Sequence, residues 1–171
     1  MPTLILARHA KAEGPTPGLT DDARPLALIG RKAAARLGEV IAEAGYNPDL
    51  ALVSPAVRTQ QTWKLMEASL APTSASTIDA LYETHVQGVL AELAELGDVE
   101  TVIVVGHEPT SSATAAFLAG KGSDTPALKR IAHGIQTGTA AVLEFEGEWD
   151  SLKARSARLL TVLSGRDVEV P

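Results

Sequence analysis

Thr101-Val102-Ile103-Val104-Val105-Gly106-His107-Glu108-Pro109 decides the fold. Five residues of almost pure β-branched character, with no polar alternation, read as a strand buried on both faces, which is the mark of a parallel sheet covered by helices. Gly106 through Pro109 then stop the strand and lead into a helix carrying Phe117 and Leu118. Working outward, Thr3–Ala7 and Leu50–Val53 are two more short apolar runs of the same kind. Between them Leu26, Ile29, Ala33, Leu37, Val40, Ile41 and Ala44 recur at helical spacing, and Gly45 is placed to end that helix. Ser54-Pro55 reads as an N-cap followed by proline at the first helical position, with Val57, Trp63, Met66 and Leu70 facing inward. A weak strand over Thr77–Tyr82 and a helical stripe of Val86, Val89, Leu90, Leu93 and Leu96 complete the central part. Residues 120–139 give no decisive pattern; Ala141–Phe145 reads as a strand, and Leu159–Leu163 as an edge strand or a helix. The expected fold is α/β: a three-layer sandwich, with a mostly parallel central sheet and helices on both faces.

Composition narrows the chemistry. The chain has 171 residues, enough for one full-sized core, and residues 1–171 are expected to form a single domain. With 15 basic against 21 acidic side chains and a formal charge of −6, it lacks the cationic surplus that nucleic acid or an anionic membrane demands. It contains no cysteine, which excludes disulfides, thiolate metal sites and a cysteine nucleophile. Too few apolar residues precede Arg8 for a signal peptide, and no stretch approaches a membrane span, so a cytoplasmic protein is expected. Nothing in the pattern speaks for an oligomer, and a monomer is expected.

In an open α/β sheet, ligands bind beyond the carboxyl ends of the strands. Four positions fall there: Arg8-His9, Arg58, Glu83 and His107. Each has a structural reading of its own: a buried histidine after a strand, a solvated arginine in a first helical turn, a helix-start histidine, an acidic residue favoured by the helix dipole. Two arginines and two histidines together suit an oxyanion, phosphate above all. Arginine presents a fixed, permanently charged fork to phosphate oxygens. Neutral imidazole is a nucleophile at cytosolic pH, and its phosphorylated form is a good leaving group for a second step. Lys11 and Glu13 read as rim residues, Ser54 as a cap before a ligand, Trp63 and Met66 as core, and His85, Glu146 and Glu148 as solvated; His133 receives no role.

These segments resemble a known family. Leu6-Ala7-Arg8-His9-Ala10-Lys11 is similar to the Arg-His-Gly signature of the histidine phosphatase, or phosphoglycerate mutase-like, superfamily. Ser54-Pro55-Ala56-Val57-Arg58-Thr59-Gln60-Gln61-Thr62 resembles its second arginine motif, and Val105-Gly106-His107-Glu108-Pro109 its second histidine motif. Arg24-Pro25-Leu26 with Gly30, and the short length, resemble the small SixA-type phosphohistidine phosphatase branch. Ala10 stands where the wider family has glycine, and Ala27 where many relatives have a helix-capping threonine.

The resemblance implies a phosphatase without metal or cofactor. His9 is the expected nucleophile; Arg8, Arg58 and His107 are expected to bind the phosphoryl oxygens. Arg24 and Ser54 are expected on the substrate-binding side. Glu83 matches the acid that donates a proton to the leaving group in larger members. An alcohol leaving group needs such a donor, whereas imidazole, with a pKa near ~6.5, does not. The expected substrate is phosphohistidine on a signalling protein. The alternatives are a small phosphomonoester, such as a sugar or nucleotide phosphate, and a catalytically idle domain that binds phosphorylated ligands.

Overall fold

The computed structural model describes residues 1–166. Six strands form one sheet in the order β3-β2-β4-β1-β5-β6. They are β1 (Thr3–Arg8), β2 (Leu50–Val53), β3 (Ser74–Thr77), β4 (Thr101–Gly106), β5 (Thr139–Phe145) and β6 (Ala157–Ser164). The first four run parallel, and β5 and β6 continue the sheet antiparallel beyond β1. Helices α1 (Leu28–Glu43) and α2 (Val57–Glu67) cover one face. Helices α3 (Val86–Ala94), α4 (Thr110–Leu118) and α5 (Thr125–Ile131) cover the other. This is the expected α/β sandwich with a mostly parallel sheet.

Strand β4 is central, and Val102 through Gly106 are all buried. Its side chains alternate between two cores. Val102 and Val104 meet Leu4, Leu6, Leu90 and Leu93, while Ile103 and Val105 meet Ile5, Ala7, Leu37, Trp63 and Met66. The continuous apolar run is required because helices cover both faces. Register then sets up the site: Arg8 pairs with Gly106 and Val53 with Val105, so His9, His107 and Ser54 leave three adjacent strands at one edge.

Three local expectations need correction, and two open ones are resolved. The buried face of α1 is Gly30, Ala34, Leu37, Gly38 and Ile41, and Ile29 is 70% exposed. Small residues set that face: a Cβ on Gly30 would lie 2.0 Å from the Lys11 carbonyl oxygen, and one on Gly38 2.4 Å from that of Met66. Close approach to those two backbone segments outweighs the burial of Ile29. Ser54 does not cap α2. That helix starts at Val57 after Ala56, with no side-chain cap, because the Ser54 hydroxyl points instead to His107. The weak strand lies earlier than Thr77–Tyr82, at Ser74–Thr77, and Asp79–Leu81 is a 3-10 turn. Every residue of β3 is exposed, so no apolar run marks it; backbone pairing to β2 alone defines it. The tail from Ala157 is an edge strand paired with β5. Within the stretch left open at 120–139, Asp124 caps α5 by accepting from the Ala127 amide, and a turn then carries Ile135 back to the sheet end. Gly45, with φ of +88°, ends α1 as expected. Among the described residues no helix is long and apolar enough to cross a membrane.

Candidate active site

Arg8, His9, Arg58 and His107 converge beyond the carboxyl ends of β1, β2 and β4. The two imidazoles lie with ring centroids 5.4 Å apart. His9 is only 8% exposed, and its Nδ1 lies 2.7 Å from the Ala10 carbonyl oxygen. A carbonyl can only accept, so Nδ1 carries the proton and Nε2 keeps its lone pair. Burial holds the ring's pKa down to about 3; the Ala10 hydrogen bond opposes this shift, and His107, Arg58 and Arg8 add to it. The backbone fixes the ring further: the His9 amide donates to the Gly106 carbonyl, and its carbonyl accepts from the Gly138 amide. His9 is thus a neutral imidazole of defined tautomer near neutral pH.

His107 has the opposite tautomer. Arg58 Nη2, which can only donate, lies 3.5 Å from Nδ1, so the proton sits on Nε2 and is donated to Ser54 Oγ at 2.7 Å. Burial first, then the Arg58 charge, lowers the pKa of His107 to about 4. The Tyr82 and His107 rings pack edge to face, with centroids 5.6 Å apart.

Arg58 enters from the first turn of α2 and is 6% exposed. Its motif is a scaffold. Thr59 Oγ1 and Gln60 Nε2 both donate to the Ser54 carbonyl. Thr62 Oγ1 donates to the Arg58 carbonyl and accepts from the Ala10 amide, tying α2 to the segment that follows β1. Gln61 Oε1 accepts from the Leu26 amide. The guanidinium donates from Nη1 to the Asp21 carbonyl at 2.8 Å and from Nη2 to the Asp21 carboxylate at 3.1 Å.

Arg8 donates from Nη1 to the Ile135 carbonyl at 3.0 Å. The Ile135 amide donates to Glu108 Oε2, and Ser112 donates to the same carboxylate from its amide and its hydroxyl. Burial lowers the pKa of Arg8, while the Glu108 charge opposes that shift. The Nε atoms of Arg8 and Arg58 are buried and have no acceptor among the described residues. Two such cationic donors beside two neutral imidazoles suit a tetrahedral oxyanion, which presents acceptors in several directions.

The other expected residues are placed differently. Arg24 donates from Nε to Asp21 and from Nη1 to the Glu13 carbonyl, so it braces the neighbouring loop. Ser54 is fully buried and bonded to His107. Glu83 is exposed and makes no hydrogen bond to the four central residues among those described. His85 is exposed and caps α3 by accepting from the Gly88 amide. Among the described residues no group of three or more His, Asp or Glu side chains is arranged to hold a metal ion.

Sequence reasoning missed Asp21, Tyr82, Glu108 and Ile135. Asp21 stands three residues before Arg24, just outside the stretch singled out there, whereas Glu108 lies inside the second histidine motif. Tyr82 and Ile135 carry no signal of their own, since only the folded loops bring them to the site.

The model of the histidine phosphatase superfamily, branch 1, matches residues 4–89. An uncharacterised protein of Mycobacterium tuberculosis is 36% identical over 156 residues, covering 90% of this chain and 96% of the relative. A protein assigned as the phosphohistidine phosphatase SixA of Nakamurella multipartitia is 33% identical and superposes with a TM-score of 0.82 over 94% of each chain. One so assigned from Agrobacterium tumefaciens is 30% identical, with a TM-score of 0.80 over 95% of this chain and 98% of that one.

Proposed function

The chain belongs to the histidine phosphatase superfamily (branch 1) and is a phosphate-hydrolysing enzyme, and from that premise we propose that it removes the phosphoryl group from phosphohistidine on a protein, through a phosphorylated His9. The observation that carries this reading is the state of His9: neutral, with Nδ1–H engaged by the Ala10 carbonyl and the Nε2 lone pair free beside Arg8, Arg58 and His107. Nε2 attacks phosphorus in line, and a P–N bond forms as the bond to the leaving group breaks. Water then hydrolyses the phosphorylated ring. Arg8 and Arg58 hold the non-bridging oxygens, and their charge stabilises the transferring group, the largest source of rate acceleration in such chemistry. His107, held by Ser54 through Nε2–H, presents a lone pair on Nδ1 toward Arg58 and becomes a donor to the phosphoryl group once Nδ1 takes up a proton. An incoming phosphoryl dianion raises the pKa of both imidazoles. The low starting value of His9 keeps it unprotonated, and so nucleophilic, when that happens.

The substrate class is supported by the likeness to the two structures assigned as phosphohistidine phosphatases. It is tested by incubating wild type and His9→Ala with a histidine-phosphorylated protein and a panel of phosphomonoesters. Wild type is expected to release phosphate fastest from phosphohistidine, and His9→Ala to lose about 10³-fold or more on every substrate. Phosphate release that persists in His9→Ala contradicts the mechanism. A sugar or nucleotide phosphate preferred over phosphohistidine contradicts the substrate class alone.

A further inference from the structure

One carboxylate bonds directly to the cationic cradle. Asp21 Oδ2 accepts from Arg58 Nη2 at 3.1 Å and from the Tyr82 hydroxyl at 2.5 Å, and Oδ1 accepts from Arg24 Nε at 3.0 Å. Two carboxylate oxygens offer about four acceptor positions, so three of them are used and one remains on Oδ1. The side chain is 56% exposed, whereas His9 is 8% exposed. The nucleophile is deep and this carboxylate stands at the mouth, one guanidinium away from His107. In-line attack by His9 puts the leaving group on the far side of phosphorus, toward the mouth.

A leaving group there meets a fixed anion, and the two substrate classes respond differently. Phosphohistidine leaves easily only when the distal ring nitrogen carries a proton, because the product is then neutral imidazole and not the far more basic imidazolate. A carboxylate that accepts from that N–H favours the protonated ring. An ester oxygen offers no such donor and needs a proton supplied. Asp21 is unsuited to supply one, since the Tyr82 hydroxyl, Arg58 and Arg24 hold its pKa at about 2.

We propose that Asp21 is a specificity-determining residue, which selects an N-phosphorylated imidazole over a phosphate ester by accepting a hydrogen bond from the distal N–H of the leaving ring. The assignment rests on the phosphohistidine reading above. The step balances without a proton donor: the bond from His9 Nε2 to phosphorus forms, the substrate P–N bond breaks, and its electron pair stays on the proximal nitrogen. The distal nitrogen keeps its proton throughout, and Asp21 neither gains nor loses one. Tyr82 and Arg24 keep the carboxylate in place, and the ring of Tyr82 against His107 fixes that arrangement to the cradle.

The test compares wild type with Asp21→Asn on free phosphohistidine, where no protein docking enters, and on p-nitrophenyl phosphate. The asparagine variant is expected to lower the ratio of kcat/KM for phosphohistidine to kcat/KM for the aryl ester by about tenfold or more, the loss typical of a hydrogen bond to a charged group. An unchanged ratio overturns the assignment and reduces Asp21 to a brace for Arg58, whether both rates fall together or neither falls. Wild type that cleaves the aryl ester but not phosphohistidine overturns the substrate reading and this assignment with it. That failure is seen in the wild-type arm alone, so the two are distinguishable.

Discussion

At the scale of the residue, the site works by fixing tautomers. His9 and His107 are chemically identical side chains that carry their protons on opposite nitrogens, because one faces a carbonyl and the other faces a guanidinium. Ser54 is what makes His107 a defined donor, so Ser54→Ala leaves the buried Nε2–H without its acceptor. The cost is about 1–3 kcal/mol of stability, read by denaturant titration, and a kcat about tenfold lower with a smaller change in KM, read by steady-state assay. A variant with wild-type kcat would show that His107 needs no such anchor. Ser54 was legible in the sequence as a polar residue at a strand end, but its partner was not. A capping hydroxyl and a hydroxyl that orients an imidazole look the same until β2 and β4 are known to be neighbours.

Elements bring these residues together by backbone contact as much as by side chains. Helix α1 lies so close to the segment after β1 that only glycine fits at position 30. Gly30→Ala drives a methyl group into the Lys11 carbonyl and forces the helix or the His9–Ala12 segment to move. The expected cost is about 1–3 kcal/mol, the range for overpacking, with phosphatase activity reduced because the shifted segment carries the Ala10 carbonyl that sets the His9 tautomer. Thermal unfolding and kcat measure the two effects, and a variant unchanged in both would refute the close approach. The strands of the sheet centre were readable, since Thr101–Val105 and Leu50–Val53 announce themselves as buried on two faces. Edge strand β3 was misplaced because exposure leaves no apolar signal. The turn at 132–138 was unreadable for a related reason: the value of Ile135 lies in its main-chain atoms, which accept from Arg8 and donate to Glu108. Every residue except proline has those atoms.

Over the whole molecule, a formal charge of −6 coexists with a cradle built around Arg8 and Arg58. The surface charges are screened over about 8 Å at physiological salt, so they weigh little against cations in direct contact with a phosphoryl group. The same buried imidazoles tie stability to pH. His9 at about 3 and His107 at about 4 lie below the ordinary 6.5, so below pH 6.5 the unfolded chain binds protons that the folded one does not. Stability is therefore complete above pH 6.5 and falls as the pH drops toward 4, by at most ~1.4 kcal/mol per pH unit for each ring. Denaturant midpoints from pH 7 to pH 4.5 check this, and His9→Ala is expected to flatten the slope; a slope unchanged by the substitution would place the burden elsewhere. The central claim, that phosphate passes through the His9 ring, is tested most directly by quenching the enzyme in alkali during turnover of ³²P-phosphohistidine and mapping the label. Acid-labile phosphate on His9 in wild type, and none in His9→Ala, is the predicted result. Label that maps to another residue, or turnover with no phosphorylated protein at any time, would contradict it.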